Sequence, residues 1–280
     1  MIHRNHSLAV TPVFVGGAQL LKRRSALQWF IPLAVIFIVL GCASSPSPPQ
    51  WHLRASSALD QFTQRSLLGD QRGAESEFNR AADALSRTGN PGRVAQAELI
   101  RCAVRIAGLD MDDCPKFRQL QSHADPADSA YARYLMPQSS VQLPAELLQP
   151  LQGSERSDSA ARRLTDPEIS LLPAHHQPVA RFLARASLAP SDDQSAVVIL
   201  RAVNDPLARL IAAAVTLRAG QAGPEVVALA VQTASDQGWR RPLIAWLKVQ
   251  YRLAQASGDQ AFIALVATRL RIAQGDLSSQ

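Results

Sequence analysis

Apolar residues recur along this chain at the spacing of α-helices and not at the strict alternation of β-strands. One set of five falls at positions i, i+4, i+7, i+8 and i+11, which places its members on one face of a helix: Ala74, Phe78, Ala81, Ala82 and Leu85. A second set repeats this spacing: Ala95, Leu99, Cys102, Ala103 and Ile106. The pattern predicts two successive amphipathic helices, separated by the turn residues 88–92.

Prolines and glycines mark further helix ends in the C-terminal part of the chain. Pro206, Pro224 and Pro242 follow one another at intervals of 18 residues, and Gly220 and Gly238 have the same separation. Proline is favoured in the first turn of a helix, and glycine is favoured directly after its end. The spacing therefore predicts a series of helices joined by short connections.

Short connections force consecutive helices to pack as antiparallel neighbours, so the predicted fold is all-α. We expect antiparallel helical hairpins, with helices of about 13 to 17 residues, stacked as an α-solenoid or as an irregular helical array. Residues 55–115 form the N-terminal helical part, residues 116–177 a proline-rich irregular segment, and residues 178–280 a C-terminal helical array. Asp205 is expected to cap the helix that starts at Pro206.

The first predicted turn carries a set of residues typical of one repeat family: Leu68, Gly69, Asp70, Ala74, Phe78 and Ala81. This set resembles the second half of a tetratricopeptide repeat (TPR), in which a Gly-Asp turn joins two antiparallel helices and small and aromatic side chains pack them closely. The resemblance covers about 34 residues, the length of one repeat. It implies that the N-terminal part is TPR-like.

The first 42 residues have the layout of a bacterial export signal. A basic cluster at 22–24 precedes an apolar stretch at 26–40, which is shorter than the roughly 20 residues that a spanning helix needs. The sequence Val39-Leu40-Gly41-Cys42 then resembles the lipobox of bacterial lipoproteins. The resemblance implies that residues 1–42 hold a lipoprotein signal peptide, and that Cys42 is lipidated and becomes the acylated first residue of the mature protein. The alternative is an uncleaved signal anchor in which Cys42 has no role.

The residues after the predicted lipidation site favour a membrane tether. Residues 43–54 begin with a run of Ser and Pro, which disfavours regular structure and keeps the chain extended. Lipoproteins retained in the inner membrane commonly have Asp after the cysteine, whereas Ala43 follows it here. The resemblance therefore implies a lipid-anchored protein on the periplasmic face of the outer membrane.

The net charge of +6 does not indicate nucleic-acid binding once the charges are located. Four of the 29 basic residues lie in residues 1–42, which contain no Asp or Glu. The remaining residues carry 25 basic and 23 acidic side chains, a formal charge of +2. The basic character belongs mostly to the leader, so we expect no nucleic-acid partner.

Two cysteines remain if Cys42 is acylated, and they form an even pair in an exported protein. Cys102 lies on a predicted helix and Cys114 follows the next turn, so a disulfide across the helix end is reasonable. A buried free thiol at Cys102 is the competing interpretation. A metal site is the poorer one, because neither cysteine has a CxxC partner.

Only one segment resembles a catalytic motif. The sequence 75–79, Glu-Ser-Glu-Phe-Asn, is similar to the catalytic-acid motif of periplasmic lytic transglycosylases, which implies Glu75 as a proton donor. The Gly-Leu-Met-Gln element of that family is missing downstream. No nucleophile motif, metal constellation or phosphate-binding glycine loop is present in the sequence, so we expect no enzyme, no catalytic residues, no metal and no cofactor.

Aromatic and basic residues near 240 provide a candidate for partner binding. Trp239 stands beside Arg240 and Arg241 at a predicted helix entrance, where an exposed aromatic side chain would anchor a partner. Trp246 instead fits an apolar stripe with Leu243 and is expected in the core.

Stacked helical hairpins form extended grooves, and a lipid anchor would fix such grooves at the membrane. The sequence therefore favours a non-enzymatic protein-interaction scaffold in envelope assembly, whose contacts are membrane lipid through acylated Cys42 and an envelope protein. The alternatives are a cell-wall hydrolase that uses Glu75 and a purely structural lipoprotein.

Replacing the predicted acylation site tests the anchor. We expect Cys42→Ala to abolish incorporation of labelled palmitate, because no other residue supplies the sulfur that the lipobox implies. Gel fluorography after metabolic labelling measures this, with Cys102→Ala as the matched cysteine control. Palmitate that persists in Cys42→Ala would show that the lipid is attached elsewhere.

Overall fold

A computed structural model of the chain describes residues 48–136, 164–186 and 193–276. Cys42 and the rest of the predicted signal peptide lie outside these residues. Twelve α-helices and one short 3-10 helix, Gln121–His123, occur in these ranges, and no strand does. The α-helices are α1 (Gln50–Leu68), α2 (Gln71–Ser86), α3 (Pro91–Ala107), α4 (Pro115–Leu120), α5 (Pro126–Leu135), α6 (Asp166–Leu171), α7 (Gln177–Ala186), α8 (Asp193–Arg201), α9 (Pro206–Arg218), α10 (Pro224–Asp236), α11 (Arg240–Ser257) and α12 (Gln260–Gln274).

The all-α prediction is confirmed. Helix lengths exceed the expected range in α1, with 19 residues, and in α11, with 18, and fall below it in the short helices α4 to α8. Among the helices in the described ranges, none combines the length and the apolar character needed to cross a membrane.

Gly-Asp pairs form two of the helix junctions. Gly69 ends α1 in the left-handed conformation, at φ 92°, and the Asp70 side chain accepts a hydrogen bond from the Gly73 N–H at the start of α2. Gly258 and Asp259 repeat this arrangement between α11 and α12. A left-handed residue without a Cβ and an N-terminal carboxylate cap together reverse the chain within two residues.

Two of the three evenly spaced prolines start helices. Pro206 and Pro224 are the first residues of α9 and α10, and Asp205 caps α9 by accepting from the Ala208 N–H. Pro242 differs from the prediction, because α11 begins at Arg240 and places this proline third in the helix. Its missing N–H costs nothing there, since the first N–H groups of a helix have no partner within the helix.

Helices that are distant in the sequence pack against each other, so the described helices do not form an open row of hairpins. Consecutive helices pack as hairpins, above all α1 with α2, α10 with α11, and α11 with α12. In addition, α9 packs against α3, and α11 packs against α1. The C-terminal helices therefore lie on the N-terminal hairpins, and the fold is the irregular array of the two predicted arrangements.

Helix α9 occupies the middle of this array. Nine of its thirteen residues are buried, and its charged residues are Arg209 and Arg218. A helix that is apolar on every side must be covered on every side. The sequence of α9 thus explains why it is surrounded by α3, α8 and α10.

Trp246 connects the two parts of the array. Its side chain is fully buried, as expected, and its Nε1–H donates to the Ala107 carbonyl at the end of α3, at 3.1 Å. This hydrogen bond satisfies one of the last carbonyls of α3, which have no partner within the helix. The contact joins residues that are 139 positions apart.

Removing the indole donor tests this connection. We expect Trp246→Phe to lower the free energy of unfolding by about 2 to 3 kcal/mol, because the mutation leaves a buried carbonyl unpaired and opens space in the core. Urea unfolding followed by circular dichroism measures the change. The half-buried Trp51 provides the control, since Trp51→Phe should cost less than about 1 kcal/mol; equal losses in both variants would contradict the assignment.

Candidate functional site

A groove lies between α1 and α3. It has a volume of about 640 Å³. Residues from the first half of α1, the end of α2 and the first half of α3 line it, together with Pro49: Trp51, His52, Ala55, Ser56, Leu59, Leu85, Arg93, Gln96, Ala97 and Ile100.

The local sequence explains how the groove forms. Helices α1 and α3 both pack against α2 and also touch each other. The buried residues Ala55 and Ala97 have small side chains that leave space between the two helices, and Leu59 and Ile100 supply apolar walls. Leu85 from α2 lines the same cavity. The groove is therefore apolar along the bottom and bounded by two helices whose positions α2 fixes.

A cation and an aromatic ring form one wall. The Arg93 guanidinium carbon lies 4.2 Å from the centre of the Trp51 ring, which is cation–π geometry. Arg93 and His52 are the groups on the lining that can carry positive charge, and no Asp or Glu lines the groove. Such an arrangement can hold an apolar side chain on its floor and an anionic group at Arg93.

The sequence indicated this site only indirectly. Arg93, Gln96, Ala97 and Ile100 fall at i, i+3, i+4 and i+7, a second face of α3 beside the core face that carries Cys102. That second face mixes polar and apolar residues, so the apolar periodicity did not reveal it.

Trp239 is buried, contrary to the expectation of an exposed anchor. Only 8% of its surface is exposed. Arg240 donates from Nε to the Ala273 carbonyl at 2.9 Å and from a terminal nitrogen to the Gln274 carbonyl, which caps the end of α12. This tryptophan packs into the core and this arginine bonds within the chain, so they do not form the exposed anchor that the sequence predicted.

Arg241 faces inward as well. It donates to the Ser66 hydroxyl at the end of α1 and to Asp110, at 3.3 and 3.4 Å. Burial lowers the pKa of its guanidinium, and the nearby Asp110 carboxylate opposes this effect. The side chain thus ties α11 to the N-terminal helices.

Cys102 and Cys114 are joined by a disulfide in the structure, with Cα atoms 5.5 Å apart. The bond connects α3 to the last residue before α4, and both cysteines are buried. A carboxylate oxygen of Asp112 lies close to both sulfur atoms. Since the disulfide uses both sulfurs, these three residues offer no thiolate pair for a metal.

Glu75 lies at the surface and pairs with an arginine. Its carboxylate oxygens accept from Arg101 at 2.9 and 3.1 Å, and half of its side chain is exposed. A catalytic acid of the transglycosylase type needs a poorly solvated cleft. The surroundings of Glu75 do not provide one.

Two tyrosine side chains pack against the buried His176. The Tyr131 hydroxyl lies 3.5 Å from His176 Nε2, and the Tyr134 ring centre is 4.9 Å from that of the histidine. Burial, together with the adjacent His175, lowers the pKa of His176 to about 3. The imidazole is therefore neutral at physiological pH and packs as a core residue.

Comparison of the chain with known protein families, with curated proteins and with solved structures finds no match.

The pH dependence of stability tests the state of His176. The unfolded chain takes up a proton near the ordinary pKa of 6.5, whereas the folded protein does so only near pH 3. This contribution to stability is thus complete above pH 6.5 and is lost progressively as the pH falls towards 3. Between pH 7 and pH 5, we expect the free energy of unfolding to fall by about 2 kcal/mol less in His176→Phe than in the wild type.

Urea unfolding at both pH values measures this difference. Asp128 acts in the opposite direction in both proteins, because burial and the neighbouring Asp125 raise its pKa to about 6. Comparing the variant with the wild type cancels that contribution. An unchanged slope in His176→Phe would show that this histidine takes up a proton as readily in the fold as in the unfolded chain.

Proposed function

We propose that this protein is a lipid-anchored, non-enzymatic scaffold of the bacterial envelope that holds a partner protein in the groove between α1 and α3. The observation that carries the proposal is the pairing of Arg93 with Trp51 on a wall of a groove that has an apolar floor and no carboxylate. An aromatic side chain and an arginine that are already packed together lose little freedom when a ligand binds.

The lining defines the chemistry of the partner segment. An Asp or Glu side chain or a C-terminal carboxylate would pair with Arg93, with His52 beside it at the groove. A neighbouring apolar side chain of the partner would enter the groove and contact Leu59 and Ile100 on its walls. The proposed ligand is therefore an acidic segment that also carries an apolar residue.

The position of the groove in the chain fits a membrane anchor. Trp51 follows Cys42 by nine residues, and the Ser/Pro-rich run that begins the tether lies between them. If Cys42 carries the acyl chains that the lipobox implies, the groove operates close to the bilayer, on the periplasmic face of the outer membrane. An envelope protein with a membrane-proximal acidic segment is then the fitting partner.

The two alternatives have less support. The hydrolase relies on Glu75, which is half exposed and paired with Arg101. In a purely structural lipoprotein the Arg93–Trp51 contact would serve stability alone, and the carboxylate-free groove beside it would have no role. The scaffold is the interpretation in which these residues have a role.

Crosslinking in the native envelope tests the proposal. A photoreactive residue at Gln96, on the groove wall, is expected to capture one defined protein through a peptide that contains an acidic and an apolar residue. Mass spectrometry identifies the peptide. We expect Arg93→Glu to reduce capture about tenfold or more, because a charge-assisted hydrogen bond is replaced by repulsion.

Arg72 provides the matched control, since it is exposed on α2 and does not line the groove. Arg72→Glu should leave capture unchanged. Capture that is equal in Arg93→Glu and Arg72→Glu would contradict a binding role for the groove. Release of cell-wall fragments that depends on Glu75 would instead favour the hydrolase.

A further inference from the structure

Helix α12 has an apolar surface on the side that faces away from the protein. It packs against α11, and Val266 is its one fully buried residue. Leu265 and Ile272 are 55% and 53% exposed, and Phe262 is 36% exposed. A helix that is apolar on both sides is normally covered on both sides.

The exposed residues form a continuous stripe. Ala261, Leu265, Thr268 and Ile272 fall at i, i+4, i+7 and i+11, so they share one face of the helix. All four are exposed. The hydroxyl of Thr268 donates to the Ala264 carbonyl at 2.9 Å, which satisfies its hydrogen. The stripe therefore presents mainly carbon atoms to its surroundings.

Arginines flank this stripe on both sides. At 100° per residue, Arg269 and Arg271 lie on opposite edges of the line that runs through Leu265 and Ile272. The helix contains no Asp or Glu between its first residue, Gln260, and its last. Its outer surface thus combines an apolar centre with positive charge alone at the edges.

We propose that the outer face of α12, defined as Ala261, Leu265, Thr268 and Ile272 with the flanking Arg269 and Arg271, lies on an anionic lipid bilayer. Apolar side chains enter the boundary between headgroups and acyl chains, and arginines on either side reach the phosphates. A second copy of the chain fits less well, because two such faces would bring arginines together, while the nearest carboxylates, Asp259 and Asp276, lie beyond the two ends of the helix.

This contact would be a membrane site additional to acylated Cys42, and it does not depend on which protein occupies the groove. An anchor and a surface helix together would fix the orientation of the body on the bilayer, whereas a flexible tether alone leaves it free to turn.

A fluorescent label on the helix tests the proposal in the full-length protein. Leu265→Cys is labelled with an environment-sensitive dye, and the protein is reconstituted into vesicles of phosphatidylcholine alone or mixed with phosphatidylglycerol. The label at position 265 should shift to shorter emission wavelengths in the anionic vesicles and be quenched by a quencher attached to the lipid acyl chains. The unsubstituted chain reports any labelling of its own cysteines.

Val198 provides the matched control, because it is an apolar residue of α8 that is 60% exposed. A label at Val198→Cys should show neither the shift nor the quenching. In the Leu265→Cys background, we expect Arg269→Gln and Arg271→Gln each to lower the ratio of docked to free helix about fivefold.

Equal emission from the 265 label in both kinds of vesicle, or no quenching by the lipid-borne group, would overturn the proposal. A spectral shift that rises with protein density and is not quenched from the lipid would overturn it too, in favour of contact between two copies. Arg93→Glu should leave the signal at 265 unchanged, so a failure of the groove proposal is distinguishable from a failure of this one.

Discussion

Arginines from three helices form ion pairs with aspartates of the loop that follows α3. The packing of the C-terminal helices on the N-terminal hairpins depends on these ion pairs. In this interhelix loop, residues 108–114, Asp110 and Asp112 accept from Arg105 of α3 at 2.9 and 2.6 Å. Asp113 accepts from Arg218 of α9 at 2.7 Å. Arg241 of α11 reaches Asp110 at 3.4 Å.

These ion pairs are partly buried, with 18% to 39% of each side chain exposed. Pairs of this kind contribute modestly to stability when intact, but removing one partner leaves a charge that is costly to keep from water. Through these ion pairs the loop holds α9 and α11 beside α3, and the buried Trp246–Ala107 hydrogen bond adds to this contact.

The loop itself requires an unfavourable backbone. Leu109 and Cys114 have positive φ angles of 60° and 47°, a region that L-residues with a Cβ rarely adopt. Leu109 is buried, and Cys114 is bonded to Cys102. Packing at one end and the disulfide at the other hold the conformation that presents three carboxylates to the arginines.

Local signals in the sequence were sufficient to predict the all-α fold and several of its helix junctions, but not the short helices of residues 116–177. Asp205 and Gly69 interact with residues only a few positions away in the sequence, so a pattern of neighbouring residues reveals them. Trp239 belongs to the core, whereas the residue types around position 239 predicted an exposed side chain.

The groove was missed for a related reason. Trp51 lies on α1 and Arg93 on α3, so the two side chains form one wall only after both helices have packed against α2. Their residue types are also common at ordinary surfaces, so neither would stand out alone. What sequence could identify was the class of fold and the candidate anchor, whereas the site depends on contacts between distant segments.

The groove can hold a partner segment only if α1 and α3 keep their distance from each other. The interhelix loop follows α3 and pairs with α9 and α11, so it links the position of α3 to the C-terminal helices. Native-state hydrogen exchange with mass spectrometry tests this directly, before and after reduction of the Cys102–Cys114 bond. We expect the amides of α3, α9 and α11 to open with one common free energy, and reduction to lower it for all three together. Protection that persists in α9 and α11 while α3 alone loses it would contradict a single cooperative unit held by the loop.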